Sequence, residues 1–110
     1  MKNKLTISVC MTVFSYSKYL NEQLESIVNQ TEIIDELVII EDYSGAKSPR
    51  EYIEKICQRE HINLIYKIFQ KNLGPAESFR QAISISSGDI IFLSDHDDIW
   101  SRDRIKKALP

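Results

Sequence analysis

The sequence predicts an α/β domain with a mostly parallel sheet, and three observations carry that prediction. Short apolar runs alternate with stretches of helical periodicity, in the order β-α-β-α-β-α-β-α. The runs at 37–40 and 90–93 are continuously apolar, as in strands buried on both faces. Polar and acidic residues stand directly after three of the runs, and the carboxyl ends of parallel strands are where such sheets collect ligands.

The chain of 110 residues makes one small domain, without repeat, low-complexity tract or linker. A net charge of −2 argues against a nucleic-acid partner, which would call for a basic face. No stretch approaches the roughly 18 apolar residues of a membrane span. Cys10 and Cys57 are spaced for neither a disulfide framework nor a zinc site, so they read as reduced thiols of a cytoplasmic protein. The basic start Met1-Lys2-Asn3-Lys4 lacks the apolar core and cleavage site of a signal peptide.

Residues 5–13 form the first strand, with Leu5, Ile7, Val9, Met11 and Val13 facing one way and Thr6, Ser8, Cys10 and Thr12 the other. The small-residue face is either covered closely or meets a ligand near its end. Ser17 caps a helix that runs to about Asn29 and buries Leu20, Leu24, Ile27 and Val28. Leu37-Val38-Ile39-Ile40 is a buried strand that ends in Glu41-Asp42 and turns at Tyr43-Ser44-Gly45. Ser48-Pro49-Arg50-Glu51 then reads as a helix start: Ser48 caps, Pro49 takes the first helical position and Glu51 closes a capping box. Tyr52, Ile53 and Ile56 point inward from that helix. Residues 62–68 alternate, with Ile62, Leu64, Tyr66 and Ile68 on one face, which suits a strand near an edge. Asn72-Leu73-Gly74-Pro75 opens a third helix to about Ser87, whose common face is Ala76, Phe79, Ala82, Ile83 and Ser86. Gly88 fits a left-handed helix stop. After the strand at 90–93, Ser101 caps a short helix from Arg102 to Leu109.

The chemistry is expected at strand ends. Ser94-Asp95-His96-Asp97-Asp98-Ile99-Trp100 sets three carboxylates within four positions, and like charges so close need a compensating partner. A hard divalent cation, which prefers oxygen ligands, is the simplest one. Thr12 to Phe14 and Glu41-Asp42 end two other strands, so a parallel sheet brings all three stretches to one edge and one crevice. Trp100 reads as a packing anchor, His96 as an exposed loop residue, and Arg80 and Lys71 as solvated cations. A metal-dependent phosphohydrolase would place aspartates after the first strand, where Thr12-Val13-Phe14 offers none.

Four stretches in register resemble the amino-terminal part of a family 2 glycosyltransferase of the GT-A fold, across essentially the whole chain. They are Ile7 to Thr12 with the following loop; Leu20 to Thr31; Asn72-Leu73-Gly74 with Ser87-Gly88-Asp89; and Leu93 to Trp100, which matches the family's DXD region as found among bacterial polysaccharide and rhamnosyl transferases. The resemblance implies a three-layer α/β/α, Rossmann-like nucleotide-binding half, truncated before the acceptor half. It implies that Thr12, Phe14, Asp42 and Asp95 bind the nucleotide, with Asp42 accepting from the base N3–H, and that Asp95, Asp97 and Asp98 hold Mn²⁺ or Mg²⁺. The general base would lie beyond Pro110. Phe14, Tyr43 and Gly45 depart from the family's usual loops, and His96 replaces a small or amide residue inside the DXD motif.

The expected function is inverting, metal-dependent transfer of a sugar from a UDP- or dTDP-sugar to a cell-surface glycan or lipid-linked acceptor, at the cytoplasmic face of the inner membrane. The competing reading is a non-catalytic nucleotide-binding or interaction module. Peripheral membrane association of the full-length protein and a dimer through an exposed sheet edge complete the expected partners; nucleic acid is not among them.

Overall fold

The computed structural model describes residues 4–14, 18–42, 47–70, 73–95 and 98–110. Four strands, β1 (Ile7–Val13), β2 (Glu36–Asp42), β3 (Asn63–Phe69) and β4 (Ile90–Ser94), alternate with four helices, α1 (Lys18–Val28), α2 (Arg50–Glu60), α3 (Pro75–Ile85) and α4 (Arg104–Ala108). The strands form one all-parallel sheet in the order β3-β2-β1-β4.

That order dictates the layers. The steps β1-α1-β2 and β2-α2-β3 run in the same direction, so right-handed crossovers put α1 and α2 on one face. The step β3-α3-β4 returns across the sheet and puts α3 on the other. The packing agrees. Ile7, Val9, Met11, Val13, Leu37 and Ile39 meet Leu20, Leu24 and Ile27 of α1 and Ile53, Ile56 and Cys57 of α2, with Trp100 and Ile105 closing the end. Cys10, Val38 and Ile40 meet Ala82 on the opposite side, with Phe79 and Ile85 packed beside them. The apolar side chains closed off by these layers supply the main stabilisation, about 1.5–3 kcal/mol for each large one. The three-layer expectation holds, and β3 is the edge strand its alternation suggested.

Several local expectations shift. The first strand begins at Ile7, and Leu5 stays exposed. The second extends over Glu36 and Asp42. Helix α2 starts at Arg50, after Pro49, without the expected capping box. The Ser48 hydroxyl accepts from the Arg50 amide at 3.2 Å but donates to Glu41, while Glu51 pairs with Lys55. Helix α3 ends at Ile85 and buries Ser78 and Ala82, whereas Ile83 is exposed. Gly88 is not a left-handed stop, because among the described glycines only Gly74 has positive φ. Gly88 is small for another reason: a Cβ there would meet Ser8 Oγ at 2.5 Å and Ser8 N at 2.7 Å. The last helix is shorter than expected, starting at Arg104. Ser17, which was to cap α1, lies outside the described residues.

Candidate functional site

Because all four strands are parallel, their carboxyl ends share one edge, and the chain's direction of travel reverses between β1 and β4. Val13 of β1 stands opposite Glu41 of β2, and Met11 opposite Ser94 of β4. One step further on, Asp42 comes level with Phe14 and Asp95 level with Thr12. Their backbones stand about 12 Å apart, two strand spacings sideways and two residues along. Thr12, Phe14, Asp42 and Asp95 therefore collect around the end of β1. Asp98 is tied to Asp95, whose carbonyl accepts from the Asp98 amide at 3.1 Å. Asp97 and His96 lie outside the described residues.

Alternation splits the neighbouring acids of β2 onto opposite faces. Glu41 points to the α2 side and is consumed there, accepting from Ser48 Oγ and from the Tyr66 hydroxyl, both at 2.6 Å. Burial first, then the facing Glu41 carboxylate, push the Tyr66 phenol far above its ordinary range. Asp42 points to the α3 side. Its Oδ2 accepts from the Gly74 amide at 3.0 Å, while Oδ1 is buried and has no partner among the described residues. Gly74 can present that amide because its φ of 81° and ψ of 162° suit a residue without Cβ, and nothing crowds the position. The Ser78 hydroxyl, on the same side in the first turns of α3, is also buried without a partner. Two such atoms on the α3 side of the sheet are a departure from the rule that buried polar groups are paired. Thr12, two residues after the α3-facing Cys10, stands on this side as well.

Phe14 is 55% exposed at the tip of β1, a free ring next to an unpaired acceptor. Beyond β4, Trp100 is buried, tilts against Phe92 with centroids 6.0 Å apart and donates from Nε1 to Asp98 Oδ2 at 3.2 Å. It is the packing anchor expected, and it also orients an acid. Arg104 lies over the Trp100 ring at 4.8 Å from its centroid. A depression of about 580 Å³ runs along Asp98, Trp100, Arg104 and Lys107, touching the acidic turn but not Thr12 or Asp42.

The oxygen donors Asp95 and Asp98 suit a hard cation, although no group of three His, Cys, Asp or Glu side chains gathers among the described residues. Arg80 pairs with Glu77 at the surface. Both cysteine thiols are buried, and burial pushes each up to about 11, so neither is a nucleophile. Within the helices the pattern missed two buried polar side chains, Ser78 and Gln23. Each interrupts the apolar stripe of its helix, and that interruption was the available signal.

Residues 8–110 match the profile of glycosyl transferase family 2. The chain is 29% identical over 105 residues to an uncharacterised glycosyltransferase of Nostoc, covering 96% of this chain and 32% of that protein. It is 28% identical to the abequosyltransferase RfbV of Salmonella typhimurium, over 92% of this chain and 31% of the relative. It thus spans about a third of the length of these relatives. Among solved structures, TarS of S. aureus in complex with UDP superposes with a TM-score of 0.78 at 21% identity, covering 94% of this chain and 31% of TarS. The mannosyltransferase PcManGT of Pyrobaculum calidifontis, in complex with GDP-Man and Mn²⁺, gives 0.73 at 17% identity, covering 94% of this chain and 31% of that protein. At such identities these likenesses establish the fold.

Proposed function

Since this chain belongs to glycosyl transferase family 2, we propose that it is the donor-binding portion of an inverting enzyme that moves a sugar from a nucleoside diphosphate to a glycan or lipid-linked acceptor of the cell surface. The observation that carries the reading is the unpaired, buried Asp42 Oδ1 at the carboxyl edge. A buried acceptor without a donor costs about 1–3 kcal/mol. An imide N–H of a nucleobase supplies that donor: N3–H of uracil or thymine, or N1–H of guanine. Phe14 stacks on the base and Thr12 lines its pocket.

Asp95 reaches the ribose and diphosphate. Asp95, Asp98 and Asp97 are the residues that would hold Mn²⁺ or Mg²⁺, and the cation would neutralise charge on the departing diphosphate. The acceptor hydroxyl displaces that diphosphate at the anomeric carbon in one step, giving inversion. Its proton goes to a general base. The cytoplasm, where nucleotide sugars and reduced thiols coexist, is the compartment that suits this assignment. No helix among the described residues is long and apolar enough to cross a membrane. The outer strand β4, with Ile91 and Leu93 exposed, supports self-association through that edge.

The test is calorimetric titration of UDP, dTDP and GDP into the full-length protein with Mn²⁺. One of them is expected to bind, and Asp42→Ala to weaken it at least tenfold. Asp42→Ala should unfold within about 1 kcal/mol of the parent, since it loses one hydrogen bond and one unpaired oxygen together. Absence of binding by all three nucleotides, or an Asp42→Ala variant that binds undiminished, overturns the proposal.

A further inference from the structure

Helix α1 carries the polar side chains Gln23 and Ser26 at i and i+3, on one face, and Gln30 follows two residues after the helix ends. All three turn toward the segment that follows β4. Gln23 Nε2 donates to Ser94 Oγ at 2.9 Å and to the Asp95 carbonyl at 2.7 Å. Ser26 Oγ accepts from the Trp100 amide at 3.1 Å while donating to the Gln23 carbonyl at 2.7 Å. Gln30 Nε2 donates to the Ser101 carbonyl at 2.6 Å, and its Oε1 accepts from the Ile105 amide at 3.1 Å. The Thr31 amide, just beyond the helix, donates to the Arg102 carbonyl at 2.9 Å. Helix α1 and the residues just after it thus fasten the chain at Ser94 and Asp95 on one side and at Trp100 to Ile105 on the other.

Gln23 and Gln30 are 2% and 4% exposed. Buried amides are tolerated only where their hydrogen bonds are made, and here Ser94 Oγ, the Asp95, Ser26 and Ser101 carbonyls and the Ile105 amide make them. The Asp95 carbonyl accepts from Gln23 and from the Asp98 amide, so both its lone pairs are used, and one carbonyl ties α1 to Asp95 and Asp98 together.

We infer that Gln23 is a positioning residue for Asp95 and Asp98: it holds the Asp95 carbonyl that the Asp98 amide also engages, so that the diphosphate meets these two carboxylates already in place. The inference rests on the donor-site reading and deepens it. Holding these groups in advance removes an entropy cost from binding, and it concerns the diphosphate end of the ligand, not the base end at Asp42.

The experiment separates the two ends. On the full-length protein, titrate whichever of UDP, dTDP and GDP binds tightest with Mn²⁺, and separately the matching nucleoside, which lacks phosphate. Gln23→Met keeps the side chain's length and loses both donated bonds. It is expected to weaken the Mn²⁺-dependent diphosphate about tenfold and leave the nucleoside within twofold. Ser94→Ala removes only the Ser94 bond, keeps the bond to the Asp95 carbonyl, and should leave both ligands within twofold. Equal diphosphate binding by Gln23→Met and the parent, or a proportional loss of both ligands, overturns the inference. Failure of the parent to bind any nucleotide refutes the donor-site reading itself. Should Gln23→Met not fold, hydrogen exchange on the parent decides: the Asp98 and Trp100 amides are expected to be protected without ligand. Protection that arises only after Mn²⁺ and nucleotide are added overturns the inference.

Discussion

The two edges of the sheet use the same residue types to opposite ends. At the amino edge, Glu36 is buried and fully partnered: its Oε1 accepts from Ser8 Oγ at 2.7 Å and from the Ser87 amide at 2.9 Å, and its Oε2 accepts from Ser87 Oγ at 3.0 Å. Ser8 Oγ in turn accepts from the Gly88 amide at 2.8 Å. At the carboxyl edge Asp42 and Ser78 each keep a buried atom without a partner, and Phe14 stands out in solvent. Closed networks stabilise a fold; under the proposed function the open acceptor at Asp42 takes its donor from the ligand. The difference teaches which edge holds the sheet together and which edge is free to bind, and substitutions at the two edges should separate stability from binding.

The largest effect belongs to Gly88. Gly88→Val sets a Cβ within 2.7 Å of the Ser8 backbone nitrogen, so β1 or the turn before β4 must move. A loss of about 3 kcal/mol or more in urea unfolding is expected, from overpacking against backbone. Asp42→Ala at the other edge should leave the urea midpoint almost unmoved while nucleotide binding falls. A Gly88→Val protein as stable as its parent would break the contrast at its strongest point.

Glu36 gives an intermediate effect. Glu36→Leu removes an acceptor for three donors and leaves the Ser87 amide and the Ser8 hydroxyl looking for partners, which should cost about 2–3 kcal/mol. Whatever fraction remains folded should bind nucleotide as the parent does, because no part of this network reaches Asp42 or Asp95. A folded Glu36→Leu protein with weakened nucleotide binding would mean that the edges are coupled and the contrast is too simple.

Much of this was legible in the sequence. Alternating apolar runs gave the layers, and the strands' common direction follows from helices long enough to cross between them. Asp42, Asp95 and Asp98 stood out because acids directly after buried runs have few structural uses. What escaped was partnership. Nothing local distinguishes Glu41, held by Ser48 and Tyr66, from Asp42, whose second oxygen is open; only the alternation of faces and the tertiary neighbours do so. Gly88 resembled a helix stop because glycine serves both φ and close approach, and sequence does not say which. Gln23 was hidden by the strength of the leucine and isoleucine pattern around it, since its partners lie more than seventy positions away.

The smallest effect is an acid-side one at the amino edge. Asp89 Oδ2 accepts from the Thr6 amide at 2.9 Å and from its hydroxyl at 3.0 Å, and the Asp89 amide donates back to Thr6 Oγ1 at 3.0 Å. The Thr6 amide, foremost, holds the Asp89 carboxyl below its ordinary 3.8. A carboxyl whose folded pKa lies below its unfolded one adds stability that is present above about pH 4 and lost as pH falls through the folded value. Asp89→Asn keeps the shape and removes that dependence. The gap between parent and Asp89→Asn in urea midpoint should therefore be small but open at neutral pH, close in acid, and narrow with added salt because the group is exposed. A gap that persists unchanged below pH 3 would assign the contribution to shape, and would leave Thr6–Asp89 as a neutral clasp on β4 instead of a charged one.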